Sequence, residues 1–162
     1  MPKTLVLVRH AKSAWPDGVP DHERPLAKRG RRDAPAVGRW LTDSAVIPQV
    51  AVVSSARRAV ETAELISGEL SGELRQLVAD QAYGASPAEL LELVHTLPAE
   101  ADVAMLVGHN PSIETLARLL VENASGLGEF PTSALAVLEF DSEWDLVGPG
   151  TGRLIGFAVP RG

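Results

Sequence analysis

The sequence predicts an α/β sandwich, three layers deep, with a central and mostly parallel sheet. Two observations predict it. Short apolar runs alternate along the chain with segments of helical periodicity, which is the mark of strand–helix–strand units. Turn residues punctuate the chain at short intervals, with no internal repeat and no low-complexity stretch, as one compact domain over residues 1–162 requires.

The elements follow in order. Residues 4–8, Thr-Leu-Val-Leu-Val, read as a buried strand that runs straight into Arg9 and His10 with no turn residue between. Residues 27–44 read as a helix with Val37, Trp40 and Leu41 inward. Pro35 and Gly38 oppose that helix, and Pro35 is expected to kink it or delay its start. Residues 50–54 form the next strand, and 57–70 the next helix, with Ala59, Ala63, Ile66 and Leu70 at helical spacing. A weaker strand is expected over 74–79. Ser86-Pro87-Ala88-Glu89 has the pattern of a capping box with Pro at the first helical position, and Leu90, Leu93, Val94 and Leu97 continue it. Residues 103–107 are a strand that leads into Gly108-His109-Asn110. Pro111 opens a helix with Ile113, Leu116, Ala117 and Leu120 on one face, and strands over 134–140 and 153–159 complete the sheet.

Composition narrows the chemistry. The 162 residues are 45% hydrophobic and 22% charged, normal for a domain with a real core. No Cys is present, which excludes disulfides, thiolate zinc sites and cysteine nucleophiles. The net charge of −6 speaks against general nucleic-acid binding. No run approaches a membrane span, and the N-terminal apolar run is too short for a signal peptide, so a cytoplasmic location is expected. The basic run Lys28, Arg29, Arg31, Arg32 is either a solvated face or a docking surface for an acidic partner.

In parallel sheets ligands bind beyond the carboxyl ends of the strands. Two of the four His residues, His10 and His109, fall there. If strands 4–8 and 103–107 are parallel neighbours, the two imidazoles share one rim. An imidazole titrates near 6.5 and offers a neutral nucleophile at physiological pH. After strand 50–54, Arg57 and Arg58 open a helix. Cations oppose the dipole there, and an anion resting between dipole and guanidinium resolves the conflict; pairing with Glu61 and Glu64 is the plainer alternative. Arg9 adds a third fork-shaped donor. Together these residues suit a phosphate site with a possible nucleophile.

Arg9-His10, the stretch Ser54 to Thr62 and Gly108-His109-Asn110 together resemble the histidine phosphatase superfamily, the phosphoglycerate mutase-like fold, and within it the short SixA-like branch of phosphohistidine phosphatases. Arg24-Pro25-Leu26 followed by Gly30, Trp40-Leu41, Tyr83 and Thr132-Ser133-Ala134 extend the match over nearly the whole chain. The resemblance implies a cofactor-independent phosphatase. It makes His10 the nucleophile and carrier of a phosphohistidine intermediate, Arg9 and Arg58 the phosphoryl clamp, His109 the second histidine on the phosphoryl group, and Arg24 a further phosphate contact. It implies neither metal nor organic cofactor. The implied partners are a phosphorylated protein, such as a histidine-phosphotransfer domain, or a small phosphorylated compound. Trp15, Tyr83, Thr132 and Ser133 are expected to border the site.

The chain departs from the wider family in three places. Ala11 stands where larger members have Gly, and Ser55 where Pro is common. The loop Asp80 to Ser86 lacks the Glu that serves larger members as general acid, and Asp80 is the nearest carboxylate. A phosphoramidate needs less acid help than an ester, because its leaving nitrogen takes a proton from water. That favours protein phosphohistidine over a phosphomonoester of a small metabolite. Two other classes stay open on the residues alone: a metal-dependent hydrolase using His10, His22, His109 and Asp17 or Asp21, and a non-catalytic phosphate-binding module. His22 lies either in a solvated loop or over the site, and His95 near a helix end.

Overall fold

The structure is a computed structural model and describes residues 2–162. One six-stranded sheet organises it. Its strands are β1 (Lys3–Arg9), β2 (Val50–Ser54), β3 (Arg75–Ala79), β4 (Val103–Gly108), β5 (Leu135–Phe140) and β6 (Arg153–Ala158). The spatial order is β3-β2-β4-β1-β5-β6. The first four neighbours pair in parallel, whereas β5 runs antiparallel to both β1 and β6. The expected mostly parallel sheet is therefore present, with β5 alone reversed between β1 and the edge strand β6.

Four helices cover the two faces: α1 (Lys28–Asp43), α2 (Arg57–Ser67), α3 (Pro87–His95) and α4 (Ser112–Leu120). Successive strand residues point to opposite faces, so each strand feeds two cores. Leu5, Leu7, Val52 and Leu106 pack with Leu90, Ile113 and Leu116 of α3 and α4. Val6, Val8, Val53 and Met105 pack with Val37, Leu41, Ala59 and Ile66 of α1 and α2. Burial on both faces explains why β1 reads as an unbroken apolar run: Leu5 through Val8 are 0% exposed.

The helix boundaries show which local signals won. Ser86 caps α3 with both hydrogen bonds of a capping box, as the pattern predicts. Pro35 neither delays nor splits α1, which runs through it for 16 residues. The spacing predicts one helix over 57–70, but α2 ends at Ser67. Gly38 in mid-α1 has a packing reason: a Cβ there would lie 2.6 Å from the Ile66 carbonyl oxygen of α2. Gly30 has the same reason at the start of the helix, where a Cβ would collide with the Lys12 carbonyl oxygen. That close approach seats the start of α1 against the loop following β1.

Candidate active site

The parallel pairing of β1 with β4 sets Arg9 opposite Gly108. The next residues of each strand are then neighbours: the His10 N–H donates to the Gly108 carbonyl at 3.1 Å, and the two imidazole centroids lie 5.0 Å apart. β2 brings its own carboxyl end to the same rim, and Ser54 Oγ meets His109 Nε2 at 2.7 Å. The cavity at this rim measures about 230 Å³. Arg9, His10, Arg24, Arg58, His109 and Thr132 line it, with Lys12, Ser13, Trp15 and Asn110. No carboxylate is among those residues.

His10 is buried at 6% exposure. Its Nδ1 lies 2.8 Å from the Ala11 carbonyl oxygen. A carbonyl only accepts, so Nδ1 carries the proton and Nε2 keeps its lone pair. Burial pushes the ring's pKa down to about 3, and the neighbouring His109, Arg58 and Arg9 push the same way, against the Ala11 hydrogen bond. His10 is thus a neutral imidazole of fixed tautomer. His109 is held down to about 4, first by burial and then by Arg58. Its Nδ1 is buried without a partner among the described residues.

Each arginine is aimed by backbone oxygens. Arg9 donates to the Phe130 carbonyl at 3.0 Å, and burial lowers its pKa. Arg24 donates to the Ala14 carbonyl at 3.1 Å and to Ser13 Oγ, and the indole of Trp15 lies over its guanidinium. Arg58 donates to the Asp21 carbonyl at 2.8 Å. The two arginines that open α2 therefore separate: Arg57 pairs with Glu61 at 3.2 Å on the exposed side, while Arg58 turns into the cavity. Thr62, fully buried, ties α2 to the loop by accepting from the Ala11 N–H and donating to the Arg58 carbonyl.

The bordering residues take different places. Thr132 and Trp15 line the cavity, and Trp15 is 74% exposed. Ser133 lies beneath it, fully buried with φ of 69°, its N–H shared between the Arg9 and His10 carbonyls. Tyr83 stands outside the lining but edges against His109 at 5.8 Å and donates to Asp21 at 2.6 Å. His22 packs on Tyr83 and bonds Ser55 Oγ at 2.9 Å, so its loop is pinned beside the site rather than standing free. Asp80 is exposed in the turn Asp80–Ala82 and does not line the cavity. His95 Nε2 donates to the Val147 carbonyl and does not line the cavity.

Sequence reasoning missed Lys12 and Ser13, placed Ser54 and Asn110 within motifs without giving them a role, and read Asp21 only as a possible metal ligand. In the fold Asp21 accepts from Arg24, Arg58 and Tyr83. Those donors hold its carboxyl well below the usual carboxylate range, the Tyr83 hydroxyl most strongly. Among the described residues no three His, Asp or Glu side chains gather as a metal site would need. The proposed quartet of His10, His22, His109 and an Asp is thus not assembled.

A neutral imidazole facing a cavity lined by three guanidiniums is suited to take up a phosphoryl group. Comparison with known proteins agrees with that class. The sequence profile of the histidine phosphatase superfamily (branch 1) matches residues 5–86. An uncharacterised protein of Mycobacterium tuberculosis is 37% identical over 163 residues, covering 95% of this chain and 100% of its own. Among solved structures, a candidate phosphohistidine phosphatase SixA from Nakamurella multipartitia superposes with a TM-score of 0.89 at 30% identity, covering 99% of this chain and 97% of that one. Its counterpart from Agrobacterium tumefaciens gives 0.84 at 30% identity, covering 99% of both chains. The chain belongs to the histidine phosphatase superfamily, with a SixA-like fold, and is a phosphatase.

Proposed function

We propose that this phosphatase hydrolyses phosphohistidine on a protein through a covalent intermediate on His10. The observation that carries the reading is the fixed tautomer of His10: Nδ1–H is spent on the Ala11 carbonyl, so Nε2 is the nitrogen free to attack. In the first step the Nε2 lone pair forms a bond to phosphorus while the bond from phosphorus to the leaving nitrogen breaks. The leaving nitrogen keeps that electron pair and takes a proton from water. In the second step a water oxygen attacks phosphorus, the Nε2–P bond breaks, its electrons return to Nε2, and the water proton passes to solvent. Both transition states carry negative charge on the equatorial oxygens. Arg9, Arg24 and Arg58 face that charge, and His109 hydrogen-bonds the phosphoryl group in flight.

The carboxylate-free lining supports this substrate class. An alkoxide leaving group needs a proton donor at the moment of bond breaking. A nitrogen leaving group does not depend on one. Acting on a protein, such as a histidine-phosphotransfer domain, fits the relatives that carry the SixA name. The test offers the enzyme a phosphorylated histidine-phosphotransfer domain beside a panel of small phosphomonoesters. Turnover of the phosphorylated domain at a kcat/KM well above every ester is expected. Preference for an ester would overturn the substrate assignment.

A further inference from the structure

We propose that Asp21 is a positioning residue that aims Arg24 and Arg58 at the phosphoryl group, with Tyr83 holding it in place. This rests on reading the cavity as the phosphate site. Three separate parts of the chain meet at this one side chain. Oδ1 accepts from Arg24 Nη1 at 2.9 Å, and Oδ2 accepts from Arg58 Nη2 at 3.2 Å and from the Tyr83 hydroxyl at 2.6 Å. The backbone carbonyl of the same residue takes Arg58 Nη1 at 2.8 Å. Arg24 comes from the loop after β1, Arg58 from α2 and Tyr83 from the loop after β3. Among the described residues no other side chain hydrogen-bonds all three.

The physical need is plain. Arg24 and Arg58 are both nearly buried, at 6% and 7% exposure, and both line one small cavity. Two guanidiniums so placed repel each other and would turn away from one another when no phosphate is bound. A carboxylate bonded to both keeps the forks converged. Asp21 is outside the lining, so it sets their direction without occupying the place where the phosphoryl oxygens go. His22, the next residue, anchors the turn Asp21–Glu23 by bonding Ser55 Oγ and packing on Tyr83. The opposite role is also physically conceivable, a carboxylate that competes with phosphate for the two arginines. The two roles predict opposite signs.

The experiment measures calorimetric affinity for inorganic phosphate and steady-state kinetics in Asp21→Ala, Asp21→Asn, Tyr83→Phe and the Asp21→Ala/Tyr83→Phe double variant. Losing a hydrogen-bonded charged partner is expected to weaken phosphate binding and lower kcat/KM by about 10- to 100-fold in Asp21→Ala, with the larger part in kcat. Tyr83→Phe is expected to fall a few-fold in the same direction. Its effect should vanish in the Asp21→Ala background, because Tyr83 acts through Asp21. Tighter phosphate binding by Asp21→Ala or Asp21→Asn would overturn the proposal, as would a Tyr83→Phe effect that persists in full without Asp21. If Asp21→Ala does not fold, Asp21→Asn and Tyr83→Phe decide on the same signs. Wild-type protein that binds phosphate but turns over no phosphorylated compound would sink the phosphatase mechanism alone, and phosphate affinity would still judge Asp21.

Discussion

Replacing Thr62 by Val keeps the shape of a fully buried side chain and removes its hydroxyl. That hydroxyl accepts from the Ala11 N–H at 3.0 Å and donates to the Arg58 carbonyl at 2.7 Å. The Arg58 carbonyl lies inside α2, where the helical ladder serves it. The Ala11 N–H is less fortunate, because Ala11 is 0% exposed and no water reaches it. An orphaned buried donor costs about 1–3 kcal/mol. Taking about 2 kcal/mol, a domain of this size should melt roughly 4–8 °C lower. The same residue carries the carbonyl that fixes His10 Nδ1–H. Loosening it shifts the imidazole, and a misplacement of about 1 Å can cost on the order of 100-fold in rate. Thr62→Ser keeps the hydroxyl and loses one methyl, which costs about 1 kcal/mol, so it should retain most activity. Thermal melts and the rate of phosphoenzyme formation check both variants. Thr62→Val with wild-type melting and rate, or equal activity losses in Val and Ser, would refute the reasoning.

Two further outcomes are expected. Arg58→Ala removes a cavity guanidinium, and losing one such donor costs about 3–4 kcal/mol in the transition state, so kcat measured on a phosphorylated substrate should fall on the order of 10²- to 10³-fold. His10 and His109 sit at about 3 and about 4 when folded, below their ordinary 6.5. As pH falls from about 6.5 towards about 4 the unfolded chain takes up protons that the folded chain refuses, so stability is fullest above 6.5 and declines on acidification. Urea midpoints across that range should drop, and less steeply in His109→Ala; midpoints that rise on acidification would contradict the burial of neutral imidazoles.

Much of this fold was legible because its strands are buried on both faces. Val6 and Leu7 serve opposite cores, so β1 appears as a plain apolar run, and the break to Arg9-His10 stands out. The capping box at Ser86 was equally local. Where a boundary depended on packing, the local pattern failed: Leu70 continues the helical spacing, yet α2 stops at Ser67, and Pro35 is absorbed because α1 is held against α2. The reversed direction of β5 is a property of the sheet, not of its six residues. At the site, His10 and His109 were legible because strand ends mark them. Asp21 was not. Its partners lie 37 and 62 residues away, in Arg58 and Tyr83, and only the topology joins them. Thr62 was visible as part of the arginine motif, but its bond to Ala11 spans 51 residues.

The central claim is that His10 carries the phosphoryl group. The most direct measurement mixes the enzyme with a radiolabelled phosphorylated substrate, quenches rapidly in alkali, where phosphohistidine survives, and counts label on the protein, beside His10→Ala. Label on the wild type that is absent from His10→Ala is predicted, and mapping should place it on Nε2 of His10. Equal labelling of both proteins would contradict the account.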